Sequence, residues 1–155
     1  MENIKSGDLI VWNRGKGIYN TLVKVFTLSE FTHVGIAVVE EDGIYVVEAI
    51  APQVRKVRLD TRFPCLYIPM EMDFDYEHQI YLENFIGDEY SKLQAVLSLF
   101  GIYINDNQWY CSELAYNYYT TFKPELKLEN DLTPTRVVDR IMSTMSYPLI
   151  PLNKE

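Results

Sequence analysis

The chain reads as an α+β protein with a small antiparallel sheet, and two observations say so. β-Branched, apolar runs dominate the first seventy residues. Segments with helical spacing dominate the rest. Strand-like runs thus come mostly first and helical segments later, the order of an α+β protein with an antiparallel sheet. A length of 155 residues suits one domain spanning 1–155 with a real core.

The elements follow in order. Gly7 to Asn13 is a turn leading into a short buried strand. Between Ile18 and Leu28, Ile18, Leu22, Val25 and Phe26 recur at helical spacing. Phe31 to Val39 and Ile44 to Ile50 are apolar runs about the four-residue, Gly-ending loop Glu40-Glu41-Asp42-Gly43, which predicts a β-hairpin. Val54 to Leu59 and Cys65 to Met70 give two more strands, parted by a turn at Arg62-Phe63-Pro64. Asp75 can cap a helix running to about Ile86, with Gly87 just past its end. Ser91 to Gln94 matches a capping box, and Leu93, Val96, Leu97 and Phe100 then form one apolar face that Gly101 stops. A helix beginning at Cys111 ends before Pro124. Thr133-Pro134 is a cap followed by proline at the first helical position, with Val137, Val138, Ile141 and Met142 as the buried face. A last short strand is expected near Tyr147 to Ile150.

Composition excludes several classes. Hydrophobic content of 48% and charged content of 23% describe a globular chain. A net charge of −8 argues against a nucleic-acid binder. The charged N-terminal residues do not form a signal peptide, and no apolar run approaches the roughly 20 residues of a membrane span. The expectation is therefore a cytoplasmic protein without a membrane partner. Composition leaves its oligomeric state open. Two cysteines and two separated histidines do not make a structural zinc site, so neither metal nor other cofactor is expected. Cys65 and Cys111 could pair, but a free thiol at Cys111 is the better reading for an intracellular chain.

Chemistry concentrates on three residues. Cys111 opens its helix, where the dipole and unpaired N–H groups favour thiolate. A thiolate also needs a base. His33 lies in an apolar strand, and hairpin parity puts it on the same face as Glu48. With Val39 opposite Ile44, Gly35 falls opposite Glu48, and His33 and Glu48 become diagonal neighbours roughly 7–8 Å apart at the backbone. A three-residue loop would separate them. The small residues Gly35 and Ala37 leave room above the sheet, and the Cys111 helix is the natural element to fill it. This set suits nucleophilic catalysis, with Cys111 attacking, His33 shuttling the proton and Glu48 orienting the imidazole. Each member also has a plainer reading. A cysteine on an apolar helix face is commonly core, and a strand histidine can be a satisfied half-buried side chain. Glu48, inside Tyr-Val-Val-Glu-Ala-Ile, is harder to dismiss, because a buried carboxylate needs a partner.

The motifs Gly7-Asp8-Leu9-Ile10, Phe31-Thr32-His33-Val34-Gly35-Ile36, Val47-Glu48-Ala49 and Tyr110-Cys111-Ser112-Glu113-Leu114 resemble the circularly permuted, NlpC-type papain-like hydrolases of the YiiX-like branch. In that branch the histidine precedes the cysteine. Gly87-Asp88-Glu89-Tyr90 resembles the branch's Gly-x-x-Tyr segment, and Thr133-Pro134 its late Thr-Pro element. The resemblance spans about residues 7 to 142. It implies a small antiparallel sheet or barrel packed against the helix that carries the cysteine, with Cys111 as nucleophile, His33 as base and Glu48 as orienting acid. The implied activity is a cysteine amidase or peptidase acting on a small peptide-like or γ-glutamyl-type amide. A lipid acyl hydrolase or acyltransferase of the lecithin:retinol acyltransferase-like type remains an alternative, as does an idle binding module. Tyr110, Ser112 and Trp109, beside the nucleophile, are candidate substrate contacts.

The remaining features take plain readings. Glu71, Asp73, Asp75 and Glu77 form a solvated approach to a helix rather than a metal loop. Arg55, Lys56, Arg58 and Arg62 blunt an exposed strand edge or hold a substrate carboxylate. His78 reads as a solvated helix position, and the polar stretch from Asn105 to Trp109 as a substrate rim.

Overall fold

In a computed structural model of the protein, residues 3–13, 30–91, 109–128 and 133–152 are described. The expected helix at 18–28, the helix after the Ser91 capping box and the rim residues 105–108 lie outside them.

Strands β1 (Leu9–Trp12), β2 (His33–Glu40), β3 (Gly43–Ile50), β4 (Gln53–Arg58), β5 (Cys65–Ile68) and β6 (Ile150–Leu152) form one sheet in the order β4-β3-β2-β1-β5-β6. Every neighbouring pair is antiparallel. The described helices are α1 (Tyr76–Glu83), α2 (Cys111–Phe122) and α3 (Pro134–Met145). The α+β class is therefore as the sequence predicts.

The β2–β3 ladder pairs Val39 with Ile44, as parity requires, and continues to Glu40 opposite Gly43. The loop thus shortens to Glu41-Asp42, and an even-numbered loop preserves the face of every side chain. Ahead of β1, the buried carboxylate of Asp8 accepts the N–H groups of Lys5 and Met70, each at 2.9 Å. The Tyr119 hydroxyl of α2 donates to the Gly7 carbonyl at 2.9 Å. Helix and sheet are pinned together at that corner.

The sheet has two apolar faces. On one, Val11, Val34, Ile36, Val47, Ala49 and Ile68 pack with Leu114, Ala115 and Tyr118 of α2 and Val137, Val138 and Ile141 of α3. On the other, Ile10, Trp12, Ala37, Val46, Cys65 and Tyr67 meet Ile4 and Leu59. Val57 of edge strand β4 and Ile150 and Leu152 of edge strand β6 reach that same second cluster, so the sheet curls around it. This corrects one expectation. The Cys111 helix does not sit over Gly35 and Ala37; it covers the opposite, β-branched face, where its stripe of Leu114, Ala115 and Tyr118 is buried. Gly35 answers to its neighbouring strand instead. A Cβ there would lie 2.6 Å from Val46 Cγ2 and 3.0 Å from the Val47 carbonyl.

Helix ends follow the local signals. Asp75 caps α1, accepting from Glu77 and His78 N–H. The helix stops at Glu83, short of the expected Ile86, and turns through Gly87 at φ 101°. Thr133 caps α3 by accepting from Arg136 N–H, with Pro134 in its first turn. The last strand begins at Ile150 rather than Tyr147, because the Tyr147 hydroxyl is drawn to the Met70 carbonyl. Pro151 is tolerated there since β6 is an edge strand. Glu71, Asp73, Asp75 and Glu77 are exposed, as a solvated approach to α1. His78 is not solvated. Its ring takes part in the capping box with Asp75 and stacks on Phe122 at 4.0 Å between centroids, so the cap itself turns it inward.

Candidate active site

Cys111 is the first residue of α2. Tyr110 before it is extended, at φ −126°, and provides no side-chain cap. The opening N–H groups of a helix lack intrahelical acceptors, so the thiol stands where partial positive charge collects. The start of α2 is held from the far edge of the sheet. Val54 N–H donates to the Asp88 carbonyl at 2.8 Å, and Tyr90 N–H to the Pro52 carbonyl at 2.9 Å. The segment then exchanges hydrogen bonds with Trp109, whose N–H donates to Glu89 and whose carbonyl accepts from Ser91, both at 2.9 Å. Trp109 Nε1 adds a bond to Asp88 at 3.0 Å. The Gly87–Tyr90 segment thus links β4 to the residue two before the thiol, and it covers the β4 edge near Val54.

His33 opens β2. Its Nε2 lies 2.7 Å from Glu48 Oε2. Burial disfavours the charged imidazole, but the charge and hydrogen bond of Cys111, followed by those of Glu48, outweigh it and lift His33 to about 9. With Nε2 turned to Glu48, the other ring nitrogen is the one left for the thiol. His33 and Glu48 point to the second face while α2 packs on the first. They meet Cys111 because His33 is at the very end of its strand, beside the start of α2.

Glu48 is wholly buried. Its carboxylate accepts from three side chains. Besides His33, Arg55 donates to Oε1 through Nε at 3.1 Å and Nη2 at 2.8 Å, and Arg62 Nη2 donates to Oε2 at 2.8 Å. Burial alone would raise the acid, but His33, Arg62 and Arg55 together hold it at about 2. Arg55 is the direct cross-strand partner of Glu48. The basic run therefore has a different task from the expected one. Arg55 and Arg62 satisfy a buried carboxylate, while Lys56 pairs with Glu40, and Arg58 with Asp42 and Asp60. A signal existed in sequence, since a buried Glu48 demanded cations, but which arginines supply them depends on the β3–β4 register and the turn after β4.

Trp12 completes the surroundings. It is the cross-strand partner of His33, its ring lies 5.1 Å from the imidazole, and the Arg62 guanidinium sits 5.3 Å over it. Both cysteines are free. Burial pushes the Cys65 thiol up to about 12 in spite of Arg62. Of the candidate substrate contacts, Tyr110 is 2% exposed and Ser112 fully buried, whereas Trp109 is half-buried against Phe85. No three His, Cys, Asp or Glu side chains among the described residues converge in a metal-binding cluster. No described helix is long and apolar enough to cross a membrane.

No protein-family model matches the chain, and no curated protein matches it at a significant level. Among solved structures it is similar to the crystal structure of metalloprotein YiiX from Escherichia coli O157:H7. The TM-score is 0.62 at 18% sequence identity, over 97% of this chain and 97% of that one. At that identity the likeness is one of fold: the chain has a YiiX-like fold.

Proposed function

We propose that the protein is a cysteine hydrolase of amide bonds on a permuted papain-like fold, working through an acyl-enzyme on a small peptide-like or γ-glutamyl-type substrate. The observation that carries the reading is the imidazole of His33, hydrogen-bonded through Nε2 to the buried Glu48 and raised by the neighbouring Cys111. A histidine bonded in this way has a fixed tautomer and two defined proton positions. In the proposed reaction that imidazole takes the thiol proton as Cys111 attacks.

In the proposed reaction the Cys111 sulfur attacks the substrate carbonyl, a C–S bond forms, and the carbonyl electrons move onto oxygen. The Cys111 N–H at the helix start is placed to receive that oxyanion. Collapse breaks the C–N bond as His33 gives its proton to the leaving amine. Water then attacks the thioester, His33 takes its proton, and the C–S bond breaks to release the acid. Glu48 stays ionised throughout and stabilises the imidazolium. Amidase substrates are preferred to lipids because the sequence leading to the nucleophile, Asn105 to Gln108, is polar.

The similar YiiX structure is named a metalloprotein, and the donor set here does not suit a metal. Cys111 and His33 offer two ligands. Glu48 faces two arginines, whose charge repels a cation. No step of the proposed reaction runs through a metal.

The test is covalent trapping. A peptidyl or γ-glutamyl electrophile should acylate or alkylate Cys111, read by mass spectrometry, with loss in Cys111→Ala and slowing in His33→Ala. Labelling of Cys65 instead, or equal labelling in His33→Ala, would overturn the reading. Fatty-acid release from vesicles by the wild type and not by Cys111→Ala would move the substrate to lipid esters.

A further inference from the structure

Three groups around Glu48 have no assigned part in the proposed reaction: Arg55, Arg62 and Trp12. Their arrangements differ. Arg55 takes Oε1 alone and is delivered by strand register, so it anchors the carboxylate. Arg62 donates to Oε2, the same oxygen that bonds His33. It comes from the turn between the short helical turn Leu59–Thr61 and β5, where its N–H donates to the Leu59 carbonyl at 2.9 Å and Trp12 makes two further contacts with it. Trp12 Nε1 donates to the Arg62 carbonyl at 2.8 Å, and the guanidinium lies over the indole. Arg62 Nε is buried without a hydrogen-bond partner among the described residues, so the hold on Glu48 rests on one Nη2 bond and the Trp12 ring.

Two donors on one carboxylate oxygen share its electron density. A cation on that oxygen opposes the attraction that Glu48 exerts on the imidazole proton. We infer that Arg62, seated on Trp12, is a positioning residue that sets how readily His33 gives up its proton, by competing with the imidazole for Glu48 Oε2. The inference rests on the proposed roles of His33 and Glu48 but concerns the proton itself, not turnover. The physical need is clear. A fully buried carboxylate facing His33 alone would hold the imidazolium too firmly for it to pass its proton to a leaving amine, and a general acid works best when its acidity lies near the working pH. Among the described residues, the charged and titratable groups around His33 are Cys111 from α2, Glu48 from β3 and, through Glu48, Arg55 from β4 and Arg62 from the turn; Trp12 faces it from β1.

The test reads the His33 imidazole by 15N NMR across pH in the whole chain. Arg62→Met removes the cation, Arg62→Lys keeps a charge near Oε2, and Trp12→Phe keeps a ring against His33 while deleting the Nε1 bond that seats Arg62. The expected result is a rise of the His33 midpoint by about half a unit or more in Arg62→Met. The rise should be smaller in Trp12→Phe, and Arg62→Lys should return most of the way to wild type. A midpoint in folded Arg62→Met within about 0.2 units of wild type, whatever its melting temperature, would overturn the inference and leave Arg62 with a purely structural role. If Arg62→Met does not fold, Trp12→Phe decides: a His33 midpoint unchanged from wild type in that variant would overturn the inference. Failure of the hydrolase reading would show separately, as absence of trapping at Cys111 with the His33 shifts intact.

Discussion

Replacing Cys111 with serine should release the proton that His33 holds. In the wild type His33 is raised from 6.5 to about 9, and the charge and hydrogen bond of Cys111 are the largest of the raising influences, ahead of Glu48. That rise corresponds to a preference on the order of a few kcal/mol for the imidazolium. Serine is close in shape but does not ionise near neutral pH, so the variant keeps Glu48 and the burial and loses the influence of the sulfur. The His33 midpoint should then fall by more than about one unit, or about 1.4 kcal/mol. The chain has two histidines, so imidazole NMR gives two titrations, and His33→Ala identifies which is which. The shift also has a sign in stability. A group raised on folding contributes fully below its unfolded value of about 6.5 and loses that contribution as pH climbs through about 9. Urea unfolding of the wild type should therefore weaken between those limits, and Cys111→Ser should show a flatter profile. A His33 midpoint in Cys111→Ser within about 0.3 units of wild type would refute the claim that thiol and imidazole share a proton.

Iodoacetamide near neutral pH should modify Cys111 well before Cys65, whose thiol burial lifts to about 12; mass-mapped rates that come out equal would remove the case for an activated thiol. Glu48→Gln leaves Arg55, Arg62 and His33 without their anion, at a cost of about 3–5 kcal/mol at neutral pH by urea unfolding. Because Glu48 is held at about 2 against an ordinary 4.5, its contribution is complete above 4.5 and disappears as pH falls toward 2, so the two proteins should converge in acid. Gly35→Ala forces a Cβ to within 2.6 Å of Val46 Cγ2 and should destabilise the sheet by about 1–3 kcal/mol; an unchanged melting temperature would mean the strands part more easily than their packing implies.

Much of this protein is decided locally and is legible in the sequence. The hairpin register follows from alternation and an even loop, which is why sequence alone sets Gly35 opposite Glu48. Asp75 and Thr133 declare helix starts because a cap acts within three residues of itself. Cys111 at the head of α2 is likewise a local matter. The choice of sheet face for α2 is not, since both faces are apolar and only the curl of the whole sheet decides which is lined by the helix and which closes on itself. The inward turn of His78 needed the end of α2 to stack against. Arg55 and Arg62 look alike in sequence to Lys56 and Arg58. Strand register and one turn turn the first two toward a buried carboxylate, while the others pair with exposed or half-exposed acids. Burial of an ion has no local signature, because the partners that make it tolerable arrive from elsewhere in the chain.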